Sequence, residues 1–77
     1  MKKGDIVKLS QAGLDWIYKG NPAWRERAET YRYMFWGYPR DEAEKRHGIV
    51  TVKRLTSHSF LSFHKRFLEL AEDNPNV

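Results

Sequence analysis

Residues 45–67 read KRHGIVTVKRLTSHSFLSFHKRF. The middle of this stretch decides the fold. Ile49, Val50, Thr51 and Val52 form a β-branched run, Thr56-Ser57-His58 is turn-like, and Phe60, Leu61 and Phe63 resume the apolar pattern. Two such runs across a short polar turn predict a β-hairpin. Alternation with period two then assigns Val50, Val52, Leu61 and Phe63 to the buried face. Downstream, KRFLEL predicts one helical turn at Lys65 and Arg66 and a short closing strand at Phe67–Leu70.

Upstream, GDIVKLS predicts a first strand through Ile6, Val7 and Leu9. Ser10 is a good helix N-cap, and Leu14, Ile17 and Tyr18 follow at helical spacing. A second helix starts where Asn21 caps and Pro22 occupies the first position, which needs no N–H. Trp24, Ala28, Tyr31 and Phe35 recur as one helical stripe, predicting a helix to about Met34. The same residues, YRYMFW, also read as a strand of period two. RDEAEKR is polar and reads as a solvated loop or a single helical turn. Together these signals define one domain over residues 1–72, with a helical insertion at about 11–35 and a frayed tail over 73–77.

The chain has 77 residues and no cysteine, so neither disulfides nor thiolate metal sites can reinforce its thin core. Aromatic residues make up 14%, and each supplies a large buried area to such a core. No apolar run approaches the length of a membrane span, and MKKGDIVKL lacks a secretory apolar region. A cytoplasmic setting without membrane contact is therefore expected.

The net charge is +4 but unevenly spread. Residues 1–44 hold eight Lys/Arg against seven Asp/Glu, residues 45–68 hold six against none, and residues 69–77 hold none against three. A local excess of this kind points to an anionic partner more than the total does.

Three pieces resemble a known architecture: KGDIVKLS as an opening strand, RHGIVTVKRL as a strand launched from His-Gly, and FLSFHKRFLEL as strand, tight turn and final strand. In that order they resemble a small Src-homology-3-like barrel, of the kind found in short bacterial and phage-encoded proteins, many of them functionally unassigned. The resemblance covers about half the chain. It implies an α+β domain, a small antiparallel barrel or bent sheet, with the helices inserted in the long loop after the first strand. Barrels of this type serve peptide binding, nucleic-acid binding and assembly contacts alike, so the resemblance implies a non-catalytic module rather than one ligand.

Two sets of residues are candidates for binding. The first comes from YRYMFWGY, in which five of eight residues are aromatic. One face cannot bury them all, which leaves Tyr33, Trp36 and Tyr38 as surplus rings for a protein partner, or as rings that complete the barrel mouth. Trp16 shares this ambiguity. The second set is Lys45, Arg46, Lys53, Arg54, Lys65 and Arg66, with Phe60, Phe63 and Tyr38 as stacking rings for nucleic acid. Its bland counterpart is a solvated hairpin whose lysines guard sheet edges. Lys53 and Arg54 are adjacent in a strand and so face opposite sides, and the three pairs serve one ligand only if their strand ends share a rim.

His47, His58 and His64 show no metal-ligand spacing and read as turn or surface residues. Asp41, Glu42 and Glu44 sit among Arg40, Lys45 and Arg46 in a compensated polar run. Without a phosphate loop, nucleophile elbow or paired acidic motif, no enzyme and no cofactor are expected, and a chain this short is not expected to enclose a small-molecule pocket. The core residues expected are Ile6, Leu9, Trp24, Ala28, Tyr31, Val50, Val52, Leu61, Phe63 and Leu68. The function expected is a protein-interaction or accessory module, with nucleic-acid binding through residues 45–66 as the alternative.

Overall fold

A computed structural model describes residues 1–39 and 41–72. The expected tail, 73–77, lies outside the described residues, as does Arg40. The elements are strand β1 (Ile6–Leu9), helices α1 (Gln11–Ile17) and α2 (Pro22–Ala28), strand β2 (Tyr33–Gly37), helix α3 (Glu42–Arg46), strands β3 (Ile49–Arg54) and β4 (Phe60–His64), a 3-10 turn at Lys65–Phe67, and strand β5 (Leu68–Leu70). The strands form one antiparallel sheet in the order β4-β3-β2-β1-β5. This is a small compact α+β domain. Its sheet is not closed into a barrel, because β4 and β5 stand at opposite edges.

The hairpin, the 3-10 turn and the closing strand lie where the pattern of residues 45–70 places them. Both helix caps also form. The Ser10 hydroxyl accepts from the Gly13 N–H at 3.2 Å, and Asn21 Oδ1 accepts from the Trp24 N–H at a long 3.5 Å. RDEAEKR supplies the short helix α3, whose Asp41 cap accepts from the Ala43 N–H at 2.8 Å.

The second helix departs from expectation. It ends at Ala28 rather than near Met34, and Tyr33–Gly37 is a strand. Side chains close the helix. The Thr30 hydroxyl donates to the Arg27 carbonyl at 2.7 Å, and Arg32 Nη1 donates to the Glu29 and Tyr31 carbonyls at 3.0 Å each. From Tyr33 onward the aromatic run follows period two: Tyr33 and Phe35 turn inward, Met34 and Trp36 outward.

The inner face carries the core: Val7, Leu9, Tyr33, Phe35, Val50, Val52 and Leu68, covered by Leu14 from α1 and Ala28 from α2. Val7, Val50 and Val52 are almost wholly buried, each worth about 1.5–3 kcal/mol of transfer free energy. Several expected core residues sit elsewhere. Trp24 is 48% exposed, with the Arg27 guanidinium over its ring, because α2 sends only Ala28 inward. Tyr31, Leu61 and Phe63 are half-buried at the core's margin, and Ile6 is half-buried on the opposite, outer face of the sheet.

Two joints hold the insertion to the sheet. The Ser10 N–H donates to the Phe67 carbonyl at 2.8 Å, and the Ser10 hydroxyl donates to the Arg66 carbonyl at 2.8 Å. Gly13 then packs so closely on the 3-10 turn that a Cβ built there would lie 2.5 Å from the Phe67 carbonyl oxygen. On the far side, Glu72 accepts from Lys8 Nζ at 2.7 Å and pairs with Arg32 at 3.3 Å, tying β1, the approach to β2 and the end of β5 together.

Candidate functional site: an aromatic and basic outer sheet face

Alternation along each strand builds the outer face. Opposite the buried valines stand Ile6 and Lys8 on β1, Met34 and Trp36 on β2, Thr51 and Lys53 on β3, and Phe60 and Ser62 on β4. Cross-strand register aligns Ile6, Met34, Lys53 and Phe60 in one row. None of these positions is a carboxylate.

The rings of Trp36 and Phe60 meet on this face at 5.3 Å between centroids, edge to face, and remain 39% and 51% exposed. Lys3 Nζ lies 4.2 Å from the Trp36 ring centroid, a cation–π distance. The contact spans β3, which separates the two strands. It depends on an irregularity: the β2–β3 register slips between Phe35 and Gly37, and Trp36 is the extra residue. Such a bulge re-aims a side chain at the cost of one ladder position.

That bulge also separates the expected aromatic set. Tyr38 is 62% exposed, but its ring packs edge-on against core Phe35 at 6.0 Å, away from Trp36. Tyr33 is only 6% exposed and packs on Phe63 at 5.7 Å. It is a core residue that turns away from the outer face; burial pushes its hydroxyl pKa up from the ordinary value. Of the three rings expected for a protein partner, only Trp36 lies on the aromatic outer face.

The basic pairs divide between two ends. Lys45-Arg46 closes α3 and Lys65-Arg66 occupies the 3-10 turn, at the end of the sheet where the Lys65 N–H donates to the Gly48 carbonyl at 2.8 Å. Lys53-Arg54 lies at the other end of β3, about 16 Å away at the usual rise per residue. The pair splits as adjacency requires. Lys53 faces outward between Met34 and Phe60, while Arg54 shares the inner side with Val50 and Val52 beyond the core. Among the described residues Lys45 pairs with Glu42 at 3.7 Å, and the other five form no ion pair.

The 3-10 turn carries its own ring cluster. Trp16, 68% exposed, stacks on Phe67 at 6.3 Å, and the His64 ring lies 5.9 Å from Phe67. His64 Nδ1 accepts from the Arg66 N–H at 3.1 Å. Residues far apart in sequence assemble this cluster, and no spacing in the chain announces it.

The chain is not expected to enclose a small-molecule pocket, and the space its described residues form is open to solvent. An open groove of about 620 Å3 runs between α2 and the β3–β4 turn, lined by Tyr18, Trp24, Tyr31, Tyr33 and Arg54 among others. Tyr18, Trp24 and Tyr31 belong there because α2 stops short and leaves the sheet end uncovered. Among the described residues no group of three or more His, Asp or Glu is placed to hold a metal ion, and no helix is long and apolar enough to cross a membrane.

No protein-family model matches the chain, no curated protein matches it, and no solved structure matches it.

Proposed function

We propose that the protein is a non-catalytic protein-interaction module that docks through the outer sheet face around Trp36 and Phe60. One observation carries this reading: two large rings remain half-exposed and in contact on a face that the core does not need, since the inner face is already filled. Exposed apolar patches mark interaction sites, and tryptophan is enriched at interface hot spots. A Src-homology-3-like arrangement forms part of the proposal. It draws support from the 3-10 turn between β4 and β5, whereas the helical insertion after β1 departs from that pattern.

Immobilised protein tests it by capture from lysate treated with nuclease. Trp36→Ala and Phe60→Ala should each remove the captured partner while circular dichroism keeps the native spectrum. Capture that neither substitution weakens overturns the docking site.

A second reading, nucleic-acid binding, is favoured by the five basic residues of 45–66 that form no ion pair among the described residues. It predicts quenching of tryptophan fluorescence by single-stranded oligonucleotides, with an affinity that falls steeply with salt. Absence of quenching at low salt eliminates it.

A further inference from the structure

The edge strand β4 has properties that the outer-face reading does not use. Its ladder with β3 is flanked by two backbone bonds, Arg54 N–H to the Ser59 carbonyl at 3.0 Å and Lys65 N–H to the Gly48 carbonyl at 2.8 Å. Paired residues in an antiparallel ladder alternate between bonding each other and pointing apart. Those flanking bonds therefore set the phase: Leu61 and Phe63 bond to β3, and Phe60, Ser62 and His64 direct their N–H and C=O groups away from it. The His64 carbonyl is taken up as the cap of the 3-10 turn, but no other strand pairs with this edge, which leaves the Phe60 and Ser62 groups and the His64 N–H open.

Exposed edges are ordinarily blunted by a lysine, a proline, a bulge or an inward charge. FLSFH carries none of these, and its register with β3 runs without a slip. The blunting charges stand instead at its two ends. Lys53 and Arg54 lie beside Phe60 and Ser59, and Lys65 and Arg66 follow His64. No carboxylate occurs anywhere from Lys45 to Leu68.

We propose that β4 accepts an extended peptide segment of a partner protein as a sixth strand, and that the segment is acidic on both flanks. Both backbone groups of Phe60 and Ser62 and the His64 N–H supply the ladder. Leu61 and Phe63, half-buried at the margin of the core, cover the inward side chains of the added strand, and Phe60 with Trp36 covers an outward one. Glutamate or aspartate on either side of the bound stretch meets the cations at each end. Main-chain bonds then give affinity, and the alternate side chains with the flanking charge give selectivity.

The charge also argues against a second copy of this chain as the occupant. A two-fold axis through Ser62 would set Lys65 and Arg66 of one copy opposite Ser59 and His58 of the other, beside its Lys53 and Arg54. Cations would gather at both ends with no carboxylate to offset them.

This inference rests on the protein-interaction reading and names its mode. The probe is a synthetic peptide of alternating valine and threonine with glutamates at both ends, titrated into the intact protein. Amide hydrogen exchange at Phe60, Ser62 and His64 should slow on saturation, with exchange elsewhere on the sheet little changed. The same peptide with lysines at its ends should bind about tenfold more weakly or worse. Ser62→Pro removes an outward N–H that the β3 ladder does not use, so the fold tolerates it, and it should abolish binding. A peptide methylated on alternate backbone nitrogens provides the same test with the protein unaltered.

Unchanged exchange at those three amides, or equal binding of the methylated peptide, overturns the proposal. So does protection of the same amides in peptide-free protein that rises with protein concentration, which assigns the edge to a second copy. Loss of edge binding with Trp36-dependent capture intact removes the sixth strand alone. Edge binding with capture indifferent to Trp36→Ala removes the ring-mediated docking instead.

Discussion

Gly13→Ala inverts an ordinary rule. Replacing glycine by alanine inside a helix normally stabilises by about 1 kcal/mol. Here the new methyl would lie 2.5 Å from the Phe67 carbonyl oxygen, 3.0 Å from Phe67 Cβ and 3.1 Å from Phe67 Cα. Two of the three are backbone atoms, and that oxygen already accepts from the Ser10 N–H. No rotamer change relieves the contact, so α1 and the 3-10 turn must part. Overpacking of this kind costs about 1–3 kcal/mol, and losing the Ser10 bond adds about 1 kcal/mol. Set against the helix gain, the net loss is about 1–3 kcal/mol. A domain of this size holds only about 4–12 kcal/mol in all, and the loss lowers Tm by about 5–20 °C. Thermal and urea melts followed by circular dichroism measure it. Ala12→Gly, at an exposed site in the same helix, is the control and should cost no more than about 1 kcal/mol. A Gly13→Ala protein that melts at or above the parent temperature would refute the close approach.

Two titrations follow from the charged and buried groups. The Lys8 hydrogen bond holds the Glu72 carboxyl below its ordinary value, so its contribution is present above about pH 4.5 and is lost as pH falls through the lowered value. Glu72→Gln should flatten that acid limb of the stability curve; an unchanged limb assigns it to other carboxylates. Burial raises the Tyr33 pKa above 10.0, so its contribution is complete below pH 10 and is lost as pH rises through the folded value. Ultraviolet titration should show a late ionisation that Tyr33→Phe removes; a titration curve unchanged by Tyr33→Phe above pH 10 would place Tyr33 in water.

The sequence made the second half of the chain legible because its patterns are local. Val50, Val52, Leu61 and Phe63 alternate about a short turn, and Ser10, Asn21 and Pro22 mark helix starts by their own chemistry. The region from Tyr31 to Gly37 was ambiguous for a physical reason. An aromatic run satisfies both periods, and the deciding interactions, the Thr30 hydroxyl and the Arg32 guanidinium on the last helical carbonyls, leave no periodic trace. The site was less legible still. Basic pairs are visible in sequence, but the meeting of Lys65 with Gly48 and the parting of Trp36 from Tyr38 depend on register and on one bulge.

The position of β1 between β2 and β5 also bears on how the chain assembles. Strands β2, β3 and β4 are consecutive and can zip as two hairpins from residues 33–64 alone. The β1–β5 ladder, with Leu9 opposite Leu68, joins positions separated by nearly the whole chain. Closing so long a loop is entropically slow, so the meander should form the folding nucleus and β5 should dock after the rate-limiting step. Val52→Ala should then slow refolding, whereas Leu68→Ala should mainly hasten unfolding. The reverse pattern in stopped-flow kinetics would mean that the long-range ladder forms first.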